Sequence, residues 1–179
     1  GRELRREEVD LVGLLVDTVA DARAAGPDHD WQLDLAVLEP PADATPEEAE
    51  DFLPEPPLVI GDEARLRQVV VNLLANARVH TPAGSHVTTT LAREGDTLIV
   101  RIHDDGPGIA PDVRDRLFER FARGDSSRER RTGSTGLGMS IALAIVQSHG
   151  GSIDVDSSTA PEDHGTTFSV RLPAAAVEE

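Results

Sequence analysis

The stretch PLVIGDEARLRQVVVNLLANARVHTPAGSHVTTTLAREGDTLIVRIHD, residues 57–104, decides the fold, because its hydrophobic period changes from strand to helix and back within it. PLVIGD reads as a short strand and a turn, and Asp62 is placed to accept the free amides of a helix start. Leu66, Val69, Val70, Leu73 and Ala77 then recur at helical spacing, which predicts a helix over residues 63–79 with one buried stripe. TPAGS breaks it. Residues 85–93 and 97–104 follow as two strands joined by the turn Glu94-Gly95-Asp96, and so short a connection predicts a hairpin.

Working outward from that stretch, Leu11, Leu14, Leu15, Thr18, Val19 and Ala22 predict a helix over residues 9–25, stopped by Gly26-Pro27. Trp31, Leu33, Leu35 and Val37 alternate with polar or small residues, so 31–38 reads as a half-buried strand. Residues 39–57 are rich in Pro, Glu and Ala and read as a surface excursion with a short helix near 46–52. Beyond residue 104 come a glycine-rich bend, a short helix near 112–121, a polar stretch over 124–135 and a helix over 137–148 closed by His149-Gly150-Gly151. SIDVDSS and GTTFSVRLP supply two final strands. The fold class is therefore α/β: a two-layer sandwich of a mixed, largely antiparallel sheet with helices on one face.

The 179 residues hold no repeat, which fits one domain. Thirty-three acidic residues against 17 basic ones give a net charge of −16, so a nucleic-acid partner is not expected. With no Cys, disulfides and thiolate chemistry are excluded. No apolar run is long enough for a membrane helix, and the amino terminus shows no signal-peptide pattern. The six histidines are scattered without metal-ligand spacing and read as packing, cap or surface residues.

Three segments carry candidate chemistry. Asn72 and Asn76 lie one helical turn apart beside the apolar stripe, where their oxygens can meet a hard cation or a phosphate-bound water; spacing alone equally allows ordinary flank residues. Asp104 ends an apolar strand, and Gly106 and Gly108 clear space around it. An ionised carboxylate accepts hydrogen bonds only, so Asp104 suits an exocyclic amine such as that of adenine, while an acidic turn is the plainer alternative. Asp105 is turned the other way by strand alternation. Gly133, Gly136 and Gly138 precede an apolar helix whose free amides suit polyphosphate. No Gly-Lys-Ser or Gly-Lys-Thr is present, so the ordinary P-loop is excluded. Between these segments, LFERFARGDSSRERRTGS reads as a polar cover, with Arg123 anchored by the hydrophobic residues before it.

Taken in order, NLLANARVHTP, DDGPGI, LFERFARGDSS and GSTGLGMSIALAIVQSHGG resemble the N box, first glycine box, F box and second glycine box of the catalytic domain of bacterial sensor histidine kinases, within the superfamily that includes gyrase, heat-shock chaperone and mismatch-repair ATPases. The resemblance implies a Bergerat-type ATP-binding fold over residues 9–173, with 1–8 as the tail of an upstream histidine-bearing domain or linker and 174–179 as a C-terminal tail. It implies ATP and Mg2+ as cofactors. By that likeness Asn76 would hold Mg2+, Asn72 would support the phosphates, and Asp104 would meet the adenine amino group. Gly106 and Gly108 would shape the adenine pocket, Arg123 would reach the γ-phosphate, and Gly133, Gly136, Leu137 and Gly138 would bring the lid and helix terminus to the phosphates. The acceptor histidine would sit on an upstream dimerisation and phosphotransfer domain, and a response regulator would receive the phosphoryl group. The parent would be a membrane-anchored homodimer with this domain cytoplasmic, and the domain by itself monomeric. Related hydrolytic members place Glu where this chain has Asn72, and an amide cannot act as a water-activating base. Members also often carry Lys or Arg at the position of Val79; Arg78 lies about 100° away around the helix and is no replacement. Modest nucleotide affinity is therefore expected.

Overall fold

The computed structural model describes residues 3–117 and 136–176. Five strands form the main sheet in the order β2 (Asp30–Asp34), β4 (His86–Glu94), β5 (Thr97–Asp104), β7 (Asp163–Pro173), β6 (Ser152–Ala160). β2 and β4 are parallel and the other pairs antiparallel. A separate two-stranded ribbon pairs β1 (Glu7–Asp10) with β3 (Leu58–Gly61). Among the described residues the helices are α1 (Leu11–Ala25), α2 (Pro46–Glu50), α3 (Glu63–His80), α4 (Pro111–Arg116) and α5 (Gly136–Ser148). The expected mixed, largely antiparallel sheet with helices on one face is what the chain forms.

Strand alternation builds the core. Leu91, Val100, Val170 and Ile153 stand in one register row across β4, β5, β7 and β6, all buried. Against this face α1 lays Leu11, Leu14, Leu15 and Val19, α3 lays Leu66, Val69, Val70, Leu73, Leu74 and Ala77, and α5 lays Met139, Ala142, Ile145 and Val146. Each of the Leu, Ile, Val and Met side chains contributes about 1.5–3 kcal/mol when fully buried, so this apolar face holds the sandwich together. Along β5, Leu98, Val100 and Ile102 point inward, and the same alternation carries Asp104 onto the buried face at the strand's end.

Two local expectations change. The first helix begins at Leu11 rather than Val9, because Asp10 adopts an extended conformation and its carboxylate accepts the Val12 amide at 2.9 Å. Val9 is buried instead in the ribbon, opposite Val59. The strand expected over 31–38 ends at Asp34, where its pairing with β4 stops, and a single 3-10 turn over Ala36–Leu38 drops Val37 into the core. The helix in the excursion is present as α2, held by a reciprocal Thr45 and Glu48 capping box. α4 occupies the start of the helix expected near 112–121; the remainder, from Phe118, lies outside the described residues.

Candidate functional site

Asn72, Asn76 and His80 follow one another at four-residue intervals on α3 and form a single polar ridge. At one end Asn72 Nδ2 donates to the Gly138 carbonyl of α5 at 3.4 Å, which leaves its Oδ1 free to accept. At the other end His80 lies close enough to Asp104 for their charges to interact; burial lowers the basicity of His80 and Asp104 raises it. Asn76, half-buried, sits between these ends. The ridge thus links the first turn of α5 to the end of β5, three segments far apart in sequence.

Asp104 is 6% exposed, and its Oδ1 accepts the Gly106 amide at 3.0 Å. Burial pushes its carboxyl above the usual value, against the Gly106 amide and the neighbouring His103 and His80, which favour the charged form, while Asp105 disfavours it. Asp105 points away, as alternation requires: its two oxygens take the backbone amide and Nδ1 of His86, each at 2.8 Å. A buried acceptor at a strand end beside a glycine bend is suited to a ligand donor.

The bend is shaped by what surrounds it. A Cβ on Gly106 would meet Thr81 Cγ2 at 2.5 Å, so the residue following α3 and the bend are in direct contact. Gly108 has φ of 82°, and a Cβ there would run into the Ser158 carbonyl. The β6–β7 hairpin ties the bend from outside: Ser157 Oγ accepts the Ile109 amide at 2.7 Å, and His164 Nδ1 bonds the Gly106 carbonyl at 2.6 Å. Thr81, Ser157 and His164 are site residues that the sequence reading did not single out. The nearest signal was the hydroxyl-rich hairpin itself, but 58 residues separate His164 from Gly106, and nothing local joins them.

Gly136 and Gly138 fall in the first turn of α5, with Leu137 between them, and Gly138 is buried. That turn has amides without intrahelical partners, the feature that favours an anion. Arg123 and Gly133 lie outside the described residues. Val79 is 41% exposed, and Arg78 runs its stem against Gly26, away from the Asn ridge, so it supplies no cation there. Among the described residues no group of three or more His, Asp or Glu side chains could hold a metal ion. The amide oxygens of Asn72 and Asn76 are the available hard donors, and they fit an ion such as Mg2+ that keeps most of its shell as water and phosphate oxygen. No helix among the described residues is long and apolar enough to cross a membrane.

Residues 61–176 match the family described as "Histidine kinase-, DNA gyrase B-, and HSP90-like ATPase". "Probable sensor histidine kinase TcrY" of Mycobacterium tuberculosis is 49% identical over 173 residues, covering 97% of this chain and 32% of that protein. The chain spans about a third of the length of the curated relatives it matches most fully. Among solved structures, the mycobacterial sensor histidine kinase MprB superposes with a TM-score of 0.72 at 27% identity, covering 96% of this chain and 99% of that one. The ATP-binding domain of PrrB from Mycobacterium tuberculosis superposes with a TM-score of 0.66 at 26% identity, covering 96% and 98%.

Proposed function

The chain belongs to the histidine kinase-, DNA gyrase B- and HSP90-like ATPase family, and from that premise we propose that it binds Mg2+-ATP and donates the γ-phosphoryl group to a histidine on a separate dimerisation domain of the same parent protein. The observation that carries this reading is the α3 ridge, which joins a buried adenine-type acceptor, Asp104, to the glycine-started helix α5 through two neutral amides.

In this reading Asp104 accepts the adenine amino group with the oxygen not committed to Gly106, and Gly106 and Gly108 leave room for the base. Asn76 offers its oxygen to Mg2+, with Asn72 beside it toward the phosphates. The first turn of α5, Gly136 to Gly138, faces the polyphosphate with free amides. Gly133 and Arg123 act from the segment between α4 and α5, Arg123 at the γ-phosphate. Mg2+, when bound, offsets charge between the β- and γ-phosphates.

Transfer forms a bond from the acceptor imidazole nitrogen to the γ-phosphorus while the bond to the β–γ bridging oxygen breaks, and ADP leaves with that electron pair. Asn72 is a neutral amide and abstracts no proton from water, which favours transfer over hydrolysis. The upstream phosphotransfer domain, a downstream response regulator, homodimerisation and membrane anchorage belong to the parent protein in this proposal, whose relatives are named as sensor histidine kinases. The test is transfer from Mg2+-ATP to a restored histidine-bearing domain, with Asp104→Ala and Asn76→Ala run beside the parent sequence. Phosphohistidine from the parent and little from either substitution is expected. Steady phosphate release without phosphohistidine would instead place the chain among the hydrolytic members of its family.

A further inference from the structure

His149, just beyond α5, lies at the end of that helix remote from the pocket, yet three elements meet at its ring. Nε2 accepts the Asp62 backbone amide at 3.0 Å, and Nδ1 is 2.7 Å from the Ile145 carbonyl. A nitrogen that accepts an amide hydrogen carries no proton, so the hydrogen-bond pattern assigns the proton to Nδ1, which donates to Ile145. The ring presses on Gly61, where a Cβ would meet Nε2 at 2.6 Å. Asp62 is itself a junction: Oδ1 accepts the Arg65 amide at the start of α3, and Oδ2 accepts the Arg5 amide of the segment before β1, each at 3.2 Å. It is 9% exposed.

α3 and α5 run antiparallel, and two cross-links bracket them. Asp62 to His149 closes one end, and Asn72 to Gly138 closes the other. The lengths agree: about ten residues on each helix separate the two links, roughly 15 Å at the helical rise. Two rigid rods joined at both ends transmit a displacement at one end to the other, because a packed interface resists shear.

We propose that His149 is a positioning residue: as a neutral imidazole it pins the segment before β1 and the start of α3 to the end of α5, and so fixes the Asn72–Gly138 edge at the far end of the same helix pair. The effect on nucleotide rests on the function proposed above, whereas the pin does not. The charged groups around it are Asp62 and Arg65 on α3, Arg5 and Arg6 in the preceding segment, and Glu7, the register partner of Gly61. α5 contributes no charged residue. Burial favours the neutral Asp62 carboxyl, but the Arg5 and Arg65 amides and their charges outweigh it and hold the carboxyl below its ordinary value. Asp62 is therefore ionised at neutral pH.

Two substitutions separate the pin from simple packing. His149→Gln places an amide oxygen near the Nε2 position and keeps an acceptor for the Asp62 amide; His149→Asn reaches Ile145 but not Asp62. Amide hydrogen exchange at Asp62 and Arg5 is measured on the 179-residue chain at neutral pH, with Mg2+-ATP titrations alongside. His149→Gln should keep Asp62 protection close to that of the parent. His149→Asn should lose about tenfold of that protection and bind nucleotide about three- to tenfold more weakly. Parent-like protection in His149→Asn, or a loss in His149→Gln as large as that in His149→Asn, overturns the pin. Parent-like affinity in His149→Asn overturns its reach to the pocket. A parent that binds no ATP refutes the proposed function, and the exchange profile still decides the pin.

Discussion

Replacing Asp104 by Asn separates the fold from the ligand at one atom. The carboxylate uses Oδ1 to accept the Gly106 amide, and an Asn oxygen can keep that bond. Burial penalises the charged form, so the amide removes that penalty. The variant should therefore be as stable as the parent at neutral pH or slightly more stable. The sign follows from linkage: the folded state raises the pKa of Asp104, so it binds the proton more tightly than the unfolded chain does. The parent loses stability as pH rises from the ordinary carboxylate value, 3.8, through the raised one, and the gap to Asn closes as pH falls back through that window. Asp104→Ala behaves differently, because it leaves the Gly106 amide without its partner and costs about 1–3 kcal/mol.

Ligand binding moves the other way. With its oxygen held by Gly106, the substituted side-chain amide would turn its NH2 toward the adenine amino group, setting donor against donor. Loss of a hydrogen bond to a charged acceptor is worth about 1.5–3 kcal/mol, or roughly 10- to 100-fold in affinity. Guanine carries an oxygen where adenine carries that amine, so the preference for ATP over GTP should shrink as well. Calorimetric titration of both nucleotides with Mg2+, next to melting curves at two pH values, measures all of this. An Asp104→Asn variant that melts like the parent and binds ATP within about twofold of it would refute the adenine role of Asp104.

Gly108→Ala forces a side chain into a left-handed conformation and against the Ser158 carbonyl; a loss of about 2–4 kcal/mol is expected, read as a melting point lower by roughly 4–16 °C without nucleotide. Asn76→Ala should weaken Mg2+-ATP binding about tenfold and leave metal-free ATP binding nearly unchanged, which titrations with and without a chelator will show. Val79→Lys, at a position 41% exposed, should leave melting unchanged and tighten ATP binding severalfold; no gain would remove the explanation for modest affinity given above. His86, bonded to Asp105, should titrate above the ordinary imidazole value, and Asp105→Asn should bring it down, as followed by NMR. The contribution of His86 to stability is then present below its ordinary value and lost as pH rises through the raised one; that of Asp105 is lost as pH falls through its lowered one.

The sequence alone determined most of the described elements and their order, because period and punctuation are local properties. Asp62 capped α3, the hairpin paired as its short turn required, and alternation along β5 turned Asp104 inward and Asp105 outward. It erred where pairing partners decide the outcome: β2 stopped when its partner strand stopped, and Val9 joined a ribbon whose other strand begins 49 residues later. Only the tertiary structure decided which distant segments meet in and behind the site. Thr81 against Gly106, His164 on the Gly106 carbonyl, Asn72 on Gly138 and His149 on Asp62 are contacts across 25 to 87 residues. A short-range pattern specifies which face of an element is apolar, whereas the partner of a polar group on its edge is fixed only when packed layers bring distant segments within hydrogen-bond reach.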